Sequence, residues 1–236
     1  MGYGDRPVEH LYTNQTSPYF RAPHIYVGIA ARFFPGRQVL TEEQARAIHV
    51  DPDYFKDCSD GVLITTRGGD RYDRTFMEGF LDPGIGLENW VSRTNYPALN
   101  VVQTGAHEMS LYANQNYGQP TAHLRRYSLR LDGFASLVAP YSGAEFLTKP
   151  LTFTGKELVL NFATSAAGGI RVEIQDAAGK PLPGFALADT VETIGNETER
   201  AARWKSGTDV GALAGKPVRL RIALHDARLY ALWFRP

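Results

Sequence analysis

The sequence predicts an all-β protein with two parts, a partial propeller-like region over residues 1–131 and a jelly-roll-like β-sandwich over residues 132–236. Glycine occurs 23 times and proline 14 times, and they separate short runs rich in valine, isoleucine, leucine, tyrosine and phenylalanine. Such short, punctuated runs are typical of sandwiches and propellers. Apolar and polar residues also alternate along the C-terminal half, which indicates strands with one dry and one solvated face.

The N-terminal region is predicted to contain one helix and five strands. Thr41 and Gln44 form a capping box that predicts the start of the helix. Its apolar residues follow at helical spacing, and it is predicted to end before Asp51. A four-stranded propeller blade takes roughly 40–45 residues, so the region has room for about three blades. The predicted strands, which long polar loops separate, are residues 25–34, 61–67, 100–104, 108–114 and 124–131.

The C-terminal half is predicted to form several strands whose apolar residues all face one side. Residues 176–180 are a predicted turn, and residues 225–228 are a second turn before the last strand. Trp204, Trp233 and Phe234 are predicted to pack between the two sheets of the sandwich. The apolar residues that alternate with polar ones are Leu158, Leu160, Phe162, Ile170, Val172, Ile174, Val218, Leu220, Ile222 and Leu224.

Composition excludes several classes of function. Lysine plus arginine and aspartate plus glutamate both number 25, so the formal net charge is zero. The protein therefore has no overall electrostatic field that attracts nucleic acid or an acidic membrane surface, and neither is predicted as a partner. Cys58 is the only cysteine, which excludes an intrachain disulfide and predicts a buried thiol. No P-loop lysine follows the glycine pairs, and no cofactor is predicted.

Targeting signals are absent from the sequence pattern. Residues 1–6 lack the apolar core of a secretory signal, and no segment approaches the roughly 20 apolar residues that span a bilayer. We therefore expect no membrane association and assign no cellular location. The glycosylation sequons at Asn14 and Asn196 are interpreted as coincidental.

Residues 19–26 concentrate a cation, an imidazole and several aromatic rings ahead of a predicted strand. The segment Phe20-Arg21-Ala22-Pro23 resembles the Phe-Arg-Asp-Pro motif of the five-bladed-propeller glycoside hydrolases, which include invertases and fructanases. Ala22 stands where that motif carries a carboxylate. A Phe-Arg-Ala-Pro-His segment and a Glu-Asn-Trp segment at residues 88–90 are also similar to those of bacterial glycosidase-like proteins. The resemblance implies carbohydrate chemistry, although the carboxylate that the family carries at this position is absent.

This resemblance covers almost the whole chain and implies an incomplete propeller. Such enzymes carry the nucleophile in a Trp-Met-Asn-Asp-Pro-like motif of their opening blades, and this sequence has no such motif. About three blades do not close a five-bladed ring. The chain is therefore expected to be a fragment or a short form, or to pair with a second copy. The strand edges and apolar faces of an open propeller favour a homo-oligomer.

Glycoside cleavage needs two carboxyl groups, one protonated to assist the leaving oxygen and one ionised as nucleophile or base. Asp60, which begins a predicted strand, is predicted to be the ionised carboxylate, and Glu88 or Glu108 to be the acid. Each carboxylate has the alternative role of capping a turn or pairing with an arginine. The candidates near predicted strand ends are Asp60, Asp82, Glu88 and Glu108.

Cationic and aromatic residues of the same region are predicted to hold a carbohydrate ligand. Arginine forks bind carboxylate, sulfate or phosphate, and aromatic rings stack on sugars. The alternative roles are loop bridging for the arginines, a backbone hydrogen bond for His24 and core packing for the aromatic residues. The predicted substrate-binding residues are Arg21, His24, Arg67, Trp90, Arg93 and Tyr112, and Tyr96, Tyr117 and Tyr127 add to the aromatic set.

Three other functions stay open. A non-catalytic carbohydrate-binding or oligomerising module is favoured by Ala22 and by the missing opening blades. The arginines also suit a hydrolase of sulfate or phosphate esters. Histidines at positions 10, 24, 107 and 123 suggest a metal-assisted hydrolase, but no His-x-His or His-Glu-x-x-His spacing supports a metal site, and none is predicted.

Overall fold

The computed structural model describes residues 8–236, and its regular structure is mainly antiparallel β-sheet. Strands make up 48% and helices 7%, so the prediction of a mostly β protein is confirmed. No propeller and no closed sheet is present among the described residues. The chain divides into two compact units, one that ends at Leu129 and one that begins at Arg130. The predicted lack of a secretory signal concerns residues 1–6, which lie outside the described residues.

The first sheet of the N-terminal unit contains β1 (His10–Leu11), β2 (Ser17–Tyr19), β3 (Ala22–Phe34) and β4 (Cys58–Thr66). Its central strand is β3, which pairs with β4 along one edge and with both β1 and β2 along the other. The predicted strands at residues 25–34 and 61–67 are confirmed, and both begin about three residues earlier than predicted.

One α-helix, α1 (Glu42–Ala47), lies between β3 and β4 in the chain. The predicted capping box is confirmed, since Gln44 N donates to Thr41 Oγ1 at 3.2 Å and Thr41 N donates to Gln44 Oε1 at 2.9 Å. Ala45 is buried and anchors the helix in a small apolar core. The buried members of this core are Leu40, Ala45, Val50, Phe55 and Val91.

The second sheet of the N-terminal unit contains β5 (Tyr96–Pro97), β6 (Val102–Gln103), β7 (Glu108–Gln115) and β8 (His123–Arg130). Its central strand is β7, which pairs with the other three. The predicted strands at residues 108–114 and 124–131 are confirmed, whereas the strand predicted at 100–104 is reduced to the two residues of β6. A single turn of 3-10 helix, Leu87–Asn89, precedes this sheet in the chain.

The strands of the C-terminal unit are β9 (Leu137–Ala139), β10 (Ala144–Leu147), β11 (Glu157–Asp176), β12 (Thr190–Val191), β13 (Asn196–Ala201), β14 (Arg203–Trp204) and β15 (Val218–Arg235). Two of them, β11 and β15, are 20 and 18 residues long and pair with each other. The main sheet has the order β10-β15-β11-β13, with β9 also on β15, while β12 and β14 form a separate pair. Each long strand merges two segments that the sequence predicts as separate strands.

The register of β11 against β15 is interrupted between Thr164 and Gly169. A Cβ at Gly168 would overlap the carbonyl oxygen of Asp226 in β15, so only glycine permits this close approach of the two backbones. The turn predicted at residues 225–228 is therefore wrong. The pairing is irregular at this point, and β15 continues through it as one strand.

The core of the C-terminal unit confirms the predicted alternation along β11 and β15. Trp204 is fully buried in it, donates from Nε1 to Val172 O at 2.9 Å and meets the Phe185 ring edge-on at 5.2 Å. Phe234 stacks on Phe153 with 3.8 Å between ring centroids. The alternating residues that form the centre of this core are Leu158, Leu160, Phe162, Ile170, Val172, Ile174, Val218, Leu220, Ile222 and Leu224.

Glu173 is a buried carboxylate on the other face of β11, and only 3% of its surface is exposed. It accepts hydrogen bonds from Gln175 Nε2 at 2.7 Å and from Leu187 N at 3.0 Å, and Arg221 Nη1 lies 3.5 Å away. Burial opposes its ionisation, but these contacts together hold the pKa of Glu173 below its ordinary value.

Glu173 is therefore expected to make the C-terminal unit less stable in acid. A carboxyl whose pKa is lower in the folded protein adds stability above the unfolded pKa, and this stability is lost as pH falls through the folded pKa. We expect Glu173→Gln to lower the free energy of unfolding by about 1–3 kcal/mol near neutral pH and to flatten its decline in acid. Urea titrations at several pH values measure both effects, with the exposed Glu199→Gln as control. Unchanged pH dependence in Glu173→Gln would contradict the prediction.

Candidate functional site

A charge network lies on one face of the first sheet, where Arg32 of β3 stands opposite Asp60 of β4. Arg32 Nε donates to Asp60 Oδ1 at 2.9 Å, and Arg32 Nη2 donates to Asp60 Oδ2 at 2.6 Å. This bidentate fork is the strong geometry for a guanidinium and a carboxylate. The two side chains are 14% and 12% exposed. The hydrogen bond with Asp60 is the main reason that the pKa of Arg32 is raised.

Glu9 and Arg74 extend this network. Glu9 Oε1 accepts from Arg32 Nη1 at 2.9 Å, and Glu9 Oε2 accepts from Arg74 Nη1 at 2.5 Å. The Arg74 side chain is 1% exposed. Two guanidinium groups and the carboxylates of Glu9 and Asp60 therefore balance one another in a largely dry region, where an unpaired charge would be costly.

Asp82 brings a further carboxylate to the network beside Gly79. A Cβ at Gly79 would lie 3.2 Å from Asp60 Oδ2 and would overlap Asp82 Oδ1, so both carboxylates border the same small volume. Asp82 is exposed, whereas Asp60 is buried. The pair therefore combines one carboxylate that an arginine holds in place with one that is open to solvent.

Glu88 and Glu108, the predicted acids, make no hydrogen bond or ion pair with Asp60 among the described residues. Glu108 Oε1 instead accepts from Arg126 Nη2 and from Thr104 Oγ1, both at 2.8 Å. Glu88 lies partly buried in the 3-10 turn before β5. The acid role of either residue stays a prediction, and Asp82 is the carboxylate that the fold brings beside Asp60.

The opposite face of the first sheet carries aromatic side chains. Phe33 and Ser59 form the cross-strand pair next to the charged one, and successive pairs point to opposite faces. The Tyr12 ring lies 6.2 Å from that of Phe33 and 5.4 Å from that of Tyr96. Burial raises the pKa of Tyr96 to about 12, and its buried hydroxyl has no hydrogen-bond partner within residues 8–236.

Arg93 lies near these rings, between two further tyrosines. Its Cζ is 4.9 Å from the Tyr54 ring centroid and 5.7 Å from that of Tyr117, and the two rings meet edge to face. Arg93 Nη1 is 3.5 Å from both hydroxyls, which makes these hydrogen bonds weak. The contact with Tyr117 raises the pKa of Arg93. The side chain is thus held in place by ring faces, as in cation–π pairs.

The backbone presents Arg93 in an uncommon conformation. Its φ is 61°, and that of Asn95 is 67°, both in the left-handed region. Two hydrogen bonds hold this segment, since Ser59 Oγ donates to Thr94 O at 2.7 Å and Asn114 Nδ2 donates to Arg93 O at 2.9 Å. Such conformations persist where the surroundings enforce them, and they are concentrated at binding and active sites.

The other predicted substrate-binding residues lie in separate elements. Arg21 lies in the turn between β2 and β3, His24 is exposed on β3, and Arg67 is exposed directly after β4. Tyr112 is partly buried in β7, and Trp90 packs against the small core around α1. The fold surrounds Arg93, which belongs to the same predicted set, with aromatic rings.

Cys58 confirms the prediction of a buried thiol, with 3% of its surface exposed. Its Sγ lies 3.1 Å from Arg37 O, and burial raises the pKa of Cys58 to about 11. The thiol is therefore protonated at neutral pH and poorly suited to nucleophilic catalysis. Across residues 8–236, no three His, Cys, Asp or Glu side chains are grouped to hold a metal ion. Within the same residues, no helix has the length and apolar character to cross a membrane.

Arg32, Arg74 and Tyr54 are not among the site residues predicted from the sequence. Arg32 did carry a signal, because it is the one charged residue in the predicted strand at 25–34, and a charge inside an apolar strand needs a partner. Tyr54 carried no such signal, because it lies 39 residues before Arg93 and no local pattern connects the two.

A pocket of about 510 Å³ in the C-terminal unit contains none of the predicted site residues. Its charged residues are already paired, with Arg171 Nε 3.3 Å from Glu192 Oε1 and Glu145 Oε1 2.7 Å from Arg221 Nη2. These pairs leave the pocket with little charge to offer a ligand.

Comparisons with known proteins found nothing similar to this chain. No protein-family model matches it, and no curated protein and no solved structure matches it at a significant level. A functional conclusion therefore has to come from its own residues and their geometry.

Proposed function

We propose that this chain is a glycoside hydrolase-like protein that acts on a carbohydrate through a pair of carboxyl groups. The observation that carries the proposal is the proximity of Asp60 and Asp82 beside Gly79. Asp60, held by Arg32, supplies the ionised carboxylate that acts as nucleophile or base. Asp82, which is exposed, supplies the acid that protonates the leaving oxygen.

Sequence and fold add support to this proposal. The segment Phe20-Arg21-Ala22-Pro23 resembles the motif of the five-bladed-propeller glycosidases, and it leads into β3, the strand of Arg32. The proposed pair needs no carboxylate at Ala22, because both of its members come from later in the chain. As part of the proposal, the two small antiparallel sheets of the N-terminal unit correspond to propeller blades, and the C-terminal unit to a jelly-roll-like sandwich.

Asp82→Asn is expected to lower kcat/KM on a cleaved glycoside by about 10²–10⁴-fold, the usual contribution of a general acid. Because Asp82 is exposed, the substitution should change the free energy of unfolding of the protein by less than about 0.5 kcal/mol. Hydrolysis is measured as release of reducing sugar from a panel of oligosaccharides, and Asp53→Asn, another exposed aspartate, is the control. Binding without release by the wild-type protein, or full activity of Asp82→Asn, would overturn the proposal.

A non-catalytic carbohydrate-binding module is the second candidate function, and the aromatic face of the first sheet favours it. Tyr12 is 61% exposed and lies against Tyr96, which gives a surface on which a sugar ring can stack. Such a module binds oligosaccharide and releases no product. Hydrolysis of a sulfate or phosphate ester, with Arg21, Arg67 and Arg93 as the predicted anion-binding residues, is the third candidate. Release of the inorganic anion would identify it, and loss of that release with a chelator would indicate a metal-dependent form.

We also propose that the chain forms homo-oligomers. Large apolar side chains are exposed along the edge of the C-terminal sheet, where Val138 of β9 is 65% and Leu147 of β10 is 45% exposed. Tyr141, between these two strands, is 75% exposed. Edge strands with apolar side chains readily pair with another chain.

A further inference from the structure

We infer that Arg93 and the tyrosines around it form a binding site for a sugar that carries a carboxylate, that is, a uronic acid. The five residues of this Arg93 cluster are Tyr12, Tyr54, Arg93, Tyr96 and Tyr117. The cluster is on the side of the first sheet where Phe33 and Ser59 point, opposite the Asp60 carboxylate. Binding here is therefore separate from the proposed hydrolysis.

Arg93 is a fixed cation that no carboxylate neutralises within residues 8–236. Its Nη1 makes weak contacts with two tyrosine hydroxyls, and its Nε and Nη2 donate to no described acceptor. A guanidinium presents its donors in a planar fork that matches the two oxygens of a carboxylate. Since Tyr54 and Tyr117 already hold the side chain, little rotamer entropy is lost when a ligand binds.

The charge balance favours a carboxylate over a phosphate. The described side chains that contact the Arg93 guanidinium are those of Tyr54 and Tyr117. No second cation is among them. A dianionic phosphate is usually bound by several cations or by a row of backbone N–H groups. One guanidinium balances one carboxylate.

Tyr12 and Tyr96 supply the surface for the sugar ring. Their rings are 5.4 Å apart and tilted by 40°, and the Tyr12 ring is mostly exposed. The buried hydroxyl of Tyr96 has no partner in the described chain. Buried hydroxyls normally have one, so Tyr96 carries an unsatisfied polar atom beneath this surface. The cluster thus combines a carboxylate fork with a ring platform.

Titration with methyl β-D-glucuronide and methyl β-D-glucoside tests the site. The two glycosides differ only at C6, which is a carboxylate in the glucuronide and a hydroxymethyl group in the glucoside. We expect the glucuronide to bind at least about tenfold more tightly, as measured by NMR shift changes. The difference should shrink as salt is added. Arg93→Met should abolish the difference, and Arg93→Lys, which keeps the charge without the fork, should retain part of it. Arg46→Met, which alters an exposed arginine of α1, is the matched control and should change neither affinity.

The outcomes distinguish this proposal from the hydrolase proposal. Asp82→Asn should bind the glucuronide like the wild type even where hydrolysis is lost. Equal binding of the two glycosides, or discrimination retained in Arg93→Met, would overturn the proposal. Should Arg93→Met not fold, Tyr12→Ser, which removes the exposed ring of the platform, is expected to weaken binding of both glycosides about 3–10-fold. Tighter binding of glucose 6-sulfate, or acetate binding as tight as the glucuronide, would also overturn it.

Discussion

Replacing Trp204 with alanine is expected to lower the free energy of unfolding of the C-terminal unit by about 3–5 kcal/mol. Trp204 is fully buried in the core that β11 and β15 share, and its ring packs edge-on against Phe185. Its removal leaves a large cavity, because dense packing and the paired backbones limit collapse of the surrounding strands. Val172 O keeps a second donor, Thr190 Oγ1 at 2.6 Å, so the cavity and lost contacts dominate over the lost hydrogen bond.

Urea unfolding followed by far-UV circular dichroism measures this loss. Trp204→Phe keeps a ring against Phe185 and should lose less stability than Trp204→Ala. Ile194→Ala removes a side chain that is 48% exposed and should stay within about 0.5 kcal/mol of the wild type. Similar stabilities of Trp204→Ala and Ile194→Ala would refute the assignment of Trp204 to the core.

Arg32→Ala is expected to destabilise the N-terminal unit by about 3–5 kcal/mol, the cost of breaking a buried ion pair on one side. Asp60 would lose both of its hydrogen bonds from Arg32, and it is 9% exposed. The exposed pair of Arg46 and Glu42, one helical turn apart, provides the comparison. Arg46→Ala should cost about 0.3–0.5 kcal/mol, because water and salt screen this pair.

A double variant separates the cost of a missing partner from the value of the ion pair. Arg32→Met with Asp60→Leu replaces both charges with apolar groups of similar size, and Glu9 keeps Arg74 as its partner. We expect the double variant to recover most of the stability that either single variant loses. Urea unfolding measures the stabilities of Arg32→Met, Asp60→Leu and the double variant. Additive losses in the double variant would mean that the two residues do not stabilise the fold as a pair.

The alternation of apolar residues along β11 and β15 was predictable from the sequence, but the length of these strands was not. Side chains of a strand alternate between its two faces, so the dry face follows from neighbouring residues alone. Gly168 and Gly169 suit a loop equally well as a place where two backbones approach closely. The carbonyl of Asp226, close to Gly168 in the folded chain, decides between these possibilities.

The candidate site was predictable only in part. Asp60 was identified because it begins an apolar strand, and Arg93 because arginine forks bind anions. The pairing of β3 with β4 brings Arg32 to Asp60 across 28 positions of the chain, and no local pattern encodes that register. Asp82 reaches the same place because Leu81 bridges to Gly61, the residue after Asp60.

The sequence by itself determined the β-rich class, the capping box of α1, the dry faces of the long strands and the buried state of Cys58. Each of these depends on composition or on residues a few positions apart. Only the tertiary structure decided which carboxylates meet and which face Arg93 occupies. Both depend on the register between strands that are distant in the chain, and a slip of one residue would exchange the charged face of the first sheet for the aromatic one.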